Sequence, residues 1–168
     1  MLSFFVLGVF PGLVILAAAT DMFTMTIPNR LCLALVAAFF LAVPFAAMPI
    51  ETVGWHAAAA IAALAVAFVL FAAGVVGGGD AKLTAAIVLW LGPGLALDFA
   101  LLAALIGGVL TAFLLGLRYI QPHFAQIDAP WAARLLSSNV GIPYGIALSA
   151  AAMIVFAQSP WFAAAILL

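Results

Sequence analysis

The stretch WHAAAAIAALAVAFVLFAAGVV, residues 55–76, runs straight into Gly77-Gly78-Gly79-Asp80-Ala81-Lys82-Leu83. The first part is an uninterrupted apolar run of the length that crosses a bilayer as a helix. The second part sets a carboxylate at the end of that run. A charged side chain at mid-bilayer costs roughly 2.5–3.5 kcal/mol on insertion scales, so an acid beside such a segment is a functional candidate. A second acid, Asp21, ends another apolar run, Leu13 to Ala19.

The rest of the chain agrees with this reading. Of 168 residues, 70% are hydrophobic and 5% charged, a composition that excludes a soluble globular domain and points to a polytopic all-α membrane protein. The longest polar stretch, Arg118 to Asn139, is too short and mixed to fold alone, so residues 1–168 read as a single transmembrane domain. A net charge of −1 gives no reason to expect a nucleic-acid partner. With Cys32 as the one cysteine there is no internal disulfide, and Cys32, His56 and His123 fall short of a zinc site of nitrogen and sulfur ligands. No metal and no cofactor is expected. Cys32 itself reads as a small buried apolar residue. Residues Met1 to Thr20 lack a Lys or Arg ahead of their apolar stretch, so they read as a retained helix rather than a signal peptide.

About six spans are expected: Ser3–Thr20, Arg30–Met48, Trp55–Val76, a short Ala81–Leu91 stopped by Gly92-Pro93-Gly94, Leu95–Leu117 and Val140–Ala157. The apolar tail from Pro160 stays unassigned. If the helices alternate, Arg30, Lys82, Arg118 and Arg134 all lie at one face and Glu51 and Asp98 at the other. The positive-inside rule then sets the N-terminus outside and the four bases in the cytoplasm. Asp21 and Asp80 fall together at the cytoplasmic face, whereas His56 and His123 fall on opposite sides. Lys82, Arg118 and Arg134 read as topology and headgroup residues. The spacings Gly8-x-x-x-Gly12 and Gly74-x-x-x-Gly78 permit close helix packing.

Two carboxylates at one site can share a proton. The ionised one takes a proton from water while the protonated one donates to a peptide carbonyl. A neighbouring carboxylate and an apolar setting both raise the pKa toward this state. Lys82 pulls the other way, and the sequence leaves that contest open. Gly77, Gly78 and Gly79 are expected to allow a sharp turn, φ above zero and close approach of another chain to Asp80. Asp80 also suits a helix N-cap, and Ile27-Pro28-Asn29-Arg30 a helix start. His-Glu-x-x-His and Gly-x-Ser-x-Gly are both absent.

Taken together, Asp21 followed by Ile27-Pro28-Asn29, then Gly77-Gly78-Gly79-Asp80-Ala81-Lys82-Leu83 after the third apolar run, resembles the type IV prepilin peptidases, membrane aspartic proteases of the GxGD class. Ile142-Pro143-Tyr144-Gly145 resembles the segment that opens the family's last helix, and the short build is most similar to the peptidases of tight-adherence (Flp-type) pili. The resemblance implies a bacterial inner-membrane enzyme that cuts the basic leader from prepilin-like substrates at the cytoplasmic face. Asp21 and Asp80 would be its catalytic pair, with Gly77, Gly78, Gly79 and Lys82 as the active-site loop. Ile27, Pro28, Asn29, Pro143, Tyr144 and Gly145 would be supporting motif residues. Larger members also N-methylate the new terminus and carry a domain with paired cysteines. This chain has neither, so proteolysis without methylation is expected. Archaeal preflagellin peptidases lack that domain too. The presenilin group ranks behind, because its Pro-Ala-Leu motif is absent. The alternatives outside the protease class are a small transporter with a carboxylate relay and a non-catalytic assembly subunit.

Overall fold

The computed structural model describes residues 2–120, 129–137 and 139–167. His123 lies outside the described residues. The described chain forms helices α1 (Leu2–Thr24), α2 (Asn29–Phe45), α3 (Ile50–Ala72), α4 (Gly78–Leu91), α5 (Pro93–Ile120), α6 (Pro130–Leu136), α7 (Tyr144–Phe156) and α8 (Pro160–Leu167). All six expected helical regions are present, with shifted ends. The unassigned tail is α8, and the polar stretch after Arg118 contains the short α6.

Span lengths differ from expectation. Three helices, Phe5–Thr24, Ile50–Ala72 and Pro93–Ile120, are long and apolar enough to cross a membrane. The other helices in expected spans are shorter: α2 has 17 residues, α4 has 14 and α7 has 13. At 1.5 Å per residue α4 reaches only about 21 Å. It is nonetheless the core of the bundle. From Ala81 to Leu91 most of its side chains are buried, and it packs against α2, α3, α5 and α7. A helix that is apolar all round belongs inside. The outer helices leave a lipid-type surface, with Ile61 68%, Leu105 65% and Phe113 61% exposed.

The C-terminal end of α4 explains its anchoring. The carbonyls of a last helical turn have no partner inside the helix. Here His56 Nδ1 donates to Leu89 O at 2.8 Å, and Trp161 Nε1 donates to Trp90 O at 2.9 Å. Trp90 Nε1 in turn donates to Leu35 O at 2.9 Å. Gly92 closes the helix at φ +74, and a Cβ there would stand 2.6 Å from His56 Nε2. Phe10, Phe39, Phe156 and Trp161 complete an aromatic cluster around Trp90. His56, which the sequence left without a role, is thus a buried helix-end donor, and α8 docks through Trp161.

The glycine spacings do less than their pattern suggests. Among the described residues nothing comes within 4 Å of a Cβ position on Gly8, Gly12 or Gly74. Gly74, at φ +74, is a turn residue after α3.

Candidate active site

Asp21 lies on α1, within a turn of its end, and is only 6% exposed. Its Oδ2 accepts the backbone N–H of Gly145 at 2.7 Å. That N–H belongs to the first turn of α7, where amides are unpaired and the helix dipole favours negative charge. Pro143, itself buried, directly precedes the helix at the N-cap position. A Cβ on Gly145 would stand 2.8 Å from both Cβ and Oδ2 of Asp21. Glycine is therefore required here for contact, and Asp21 and Gly145 are joined despite lying at opposite ends of the sequence.

Asp80 stands in the first turn of α4, outside the three spans. Gly77, not Asp80, occupies the N-cap position, with φ −71 and ψ 146, so Asp80 is not the cap. The three glycines also differ from expectation: neither Gly77 nor the helical Gly78 and Gly79 takes positive φ, a conformation confined among the described glycines to Gly74 and Gly92. What they provide is the missing Cβ. A Cβ on Gly77 would stand 2.8 Å from Asp80 Oδ2, one on Gly78 3.3 Å from the Phe71 ring, and one on Gly79 3.2 Å from Ile27 Cβ. The Asp80 carboxyl is pushed up to about 6 from the ordinary 3.8. Burial is the larger cause, the charge of Asp21 the second, and a hydrogen bond from the Gly77 backbone opposes both. The two acids thus stand within electrostatic reach of each other at the same end of the bundle.

Lys82 does not pair with Asp80. Two residues along a helix are about 200° apart, and Lys82 Nζ donates instead to Asn29 Oδ1 at 2.9 Å. Burial and the Asp21 charge raise the Asp80 carboxyl, and Lys82 is not among the causes that lower it. The same hydrogen bond, with the Gly79–Ile27 packing, explains why the two motifs belong together: the residues after Asp21 close directly on those around Asp80. Pro28 precedes α2 as its N-cap residue, consistent with the expected helix start.

Tyr144 packs between α5 and the groove beside Asp80. Its hydroxyl lies 3.0 Å from Thr111 Oγ1, and its ring lies over Gly107, where a Cβ would stand 2.8 Å from Cε1. Tyr144 and Asp80 both line a groove of about 650 Å³ between α3 and α5. Its floor follows one face of α4, Asp80, Thr84 and Val88, and its walls include Ala63 and Ala100. Thr84 and Thr111 carry no sequence signal of their own, although Thr84 follows Asp80 by four residues, the spacing of one helical face.

Two cations read as headgroup residues have protein partners. Arg134 Nη1 donates to Phe23 O at 2.9 Å, and Trp131 meets the Phe23 ring edge-on at 5.8 Å, so α6 is strapped to the end of α1 beside Asp21. Arg118 donates to Leu135 O at 2.8 Å and Gly141 O at 3.0 Å, holding α6 and the entry to α7. Among the described residues no cluster of three or more His, Cys, Asp or Glu could hold a metal ion. Cys32 is buried, as its reading expects.

Comparison with known proteins agrees with this geometry. No curated protein and no solved structure matches the chain. The model of the type IV leader peptidase family matches residues 8–112, a segment that contains Asp21, Ile27-Pro28-Asn29 and Gly77 through Leu83. With well over half of its length matched, the chain belongs to the type IV leader peptidase family.

Proposed function

We propose that this protein is an aspartic endopeptidase that removes the leader of prepilin-like substrates at the cytoplasmic face of a bacterial inner membrane, without methylating the new terminus. What supports this reading is that the segment after Asp21 meets the segment around Asp80, through Lys82 on Asn29 and Gly79 against Ile27, with each acid set against a glycine and the charge of Asp21 helping to raise the Asp80 carboxyl. In this reading the whole chain is one catalytic unit that passes the membrane several times, with its N-terminus outside.

The roles follow from the surroundings. Asp21 accepts a backbone N–H at 2.7 Å, a bond that is stronger to an ionised oxygen. It acts as the base that takes a proton from the attacking water. Asp80, pushed up to about 6, holds the shared proton and donates it to the scissile carbonyl as the tetrahedral intermediate forms. Asp21 then passes the proton it took from water to the leaving amine, and the diol hydroxyl returns its proton to Asp80 as the C–N bond breaks. The titration belongs to the pair.

The groove that starts at Asp80 suits the apolar part of a membrane-bound substrate. Beyond Asp80, Thr84 and Tyr144 its lining is apolar, which supports a substrate segment rather than a polar relay across the membrane. The test is leader removal from a candidate prepilin, read by mass, with wild type, Asp21→Asn and Asp80→Asn. Cleavage by wild type and loss in both folded variants is the expected result. Cleavage at the wild-type rate by either variant overturns the mechanism.

A further inference from the structure

A further cavity lies on the opposite side of α4. It is a cleft of about 490 Å³ between α2, α3 and α4. Its polar residues are Asn29, Lys82 and Cys32, and its remaining lining is apolar, including Val36, Ala60 and Ile61. Lys82 faces this cleft because it stands about 200° round the helix from Asp80. Its Nζ spends one proton on Asn29 Oδ1, which leaves two further protons for an acceptor. Arg30 follows Asn29 in sequence and is exposed, outside the cleft lining, and Asn29 opens α2, whose N-terminal dipole is positive.

We propose that this cleft binds an anionic phospholipid. The headgroup phosphate would meet Lys82, with Arg30 and the start of α2 adding positive potential. One acyl chain would run about 10 Å down the apolar wall, the rise of α4 from Lys82 to Leu89. Charge separates this occupant from the substrate. A basic leader is repelled by the Lys82 end and attracted by the Asp80 groove, whereas a phosphate is repelled by the acids and attracted by Lys82. Because Lys82 also ties Asn29 to the Asp80 turn, the lipid would sit against the joint between the two halves of the site.

Native mass spectrometry of the protein in neutral detergent tests this, with phosphatidylglycerol and phosphatidylcholine of identical chains in competition. Each cation near a phosphate contributes about 1 kcal/mol, so phosphatidylglycerol is expected to bind about fivefold tighter or more. Lys82→Gln, which keeps a donor for Asn29, is expected to remove that preference. Ala60→Trp, which keeps the cation and fills the apolar half, is expected to abolish retention of either lipid. Phosphatidylglycerol is also expected to slow methylthiolation of Cys32 in wild type. Equal binding of the two lipids, a preference that survives in Lys82→Gln, retention unchanged in Ala60→Trp, or protection of Cys32 by glycerol phosphate alone overturns the proposal. These readouts do not involve cleavage, so they stand or fall apart from the leader-peptidase reading.

Discussion

Replacing Gly145 by alanine tests the geometry of the acid pair without touching either acid. The new Cβ would stand 2.8 Å from Asp21 Cβ and Oδ2 and 3.0 Å from Cγ. Carbon–carbon contacts settle near ~3.5–4.0 Å, so α7 must move from α1 by about 1 Å. The Asp21 side chain cannot swing aside to prevent this, because its own Cβ, fixed to the α1 backbone, is one of the atoms struck. The Gly145 N–H to Oδ2 distance, now 2.7 Å, then opens beyond hydrogen-bond range. Overpacking costs about 1–3 kcal/mol, and a hydrogen bond to a charged group contributes about 1.5–3 kcal/mol, so the melting temperature falls. A 1 Å displacement of a catalytic group costs about 10²-fold in rate, expected in kcat more than in KM. The assay is prepilin cleavage with kcat and KM separated, alongside circular dichroism and thermal melting in detergent. Gly108→Ala is the control, since no described residue lies within 4 Å of a Cβ there. Wild-type turnover by folded Gly145→Ala, or an equal loss in Gly108→Ala, would refute the reasoning.

Cleavage should decline as pH rises through about 6, because Asp80 then loses the proton it donates; a kcat profile flat from pH 5 to 9 counts against Asp80 as the acid. The sign for stability is the same: between about 4 and about 6 the folded state binds this proton and the unfolded chain does not, so Asp80's contribution falls as pH rises. Asp21→Asn and Asp80→Asn should each lower kcat by at least about 10³-fold, a loss in the range reported for removing a catalytic group, with helical content unchanged by circular dichroism. His56→Ala should lower stability by about 1–3 kcal/mol, since Leu89 O loses its buried donor, while kcat in the surviving folded fraction stays at the wild-type value. Arg134→Ala should release α6 from Phe23 O and appear as faster proteolysis between α5 and α7.

The helices were legible because apolar runs of bilayer length have few other readings, and the order of the two motifs along the chain already suggested that their segments meet, as they do through Lys82 on Asn29 and Gly79 against Ile27. What the sequence hid depends on contacts between distant segments. Nothing in Gly77-Gly78-Gly79 distinguishes a glycine needed for positive φ from one needed because a Cβ would strike Asp80, Phe71 or Ile27; only the packing does. Arg118 and Arg134 read as surface cations because their acceptors are backbone carbonyls, which every residue carries. His56 and Trp161 had no visible role because their acceptors are the last carbonyls of α4. The short fourth helix was expected, but α2 and α7 are also shorter than the spans read for them, since hydropathy reports burial but does not separate a core helix from a lipid-facing one.

Helix geometry and the bond from Lys82 to Asn29 together hold the charges of Asp80-x-Lys82 apart. In a loop the two charges would neutralise each other and Asp80 would stay ionised. On a helix they face about 200° apart, and α4 is buried between helices on both sides. Each charge therefore heads its own cavity: Asp80 the groove between α3 and α5, Lys82 the cleft between α2, α3 and α4. The helical start at Gly78 is what makes this separation possible, and it requires that Gly78 and Gly79 carry no side chain between α4 and its neighbours Phe71 and Ile27. Gly79→Ala should accordingly act at a distance from the acids. It would press on Ile27, shift the Asn29 end of α2 away from Lys82, and free Lys82 to turn toward Asp80. The pH above which cleavage declines would then move down from about 6, because a nearby ammonium favours the ionised carboxyl. A variant with lowered activity but an unmoved pH profile would show that Gly79 serves packing only.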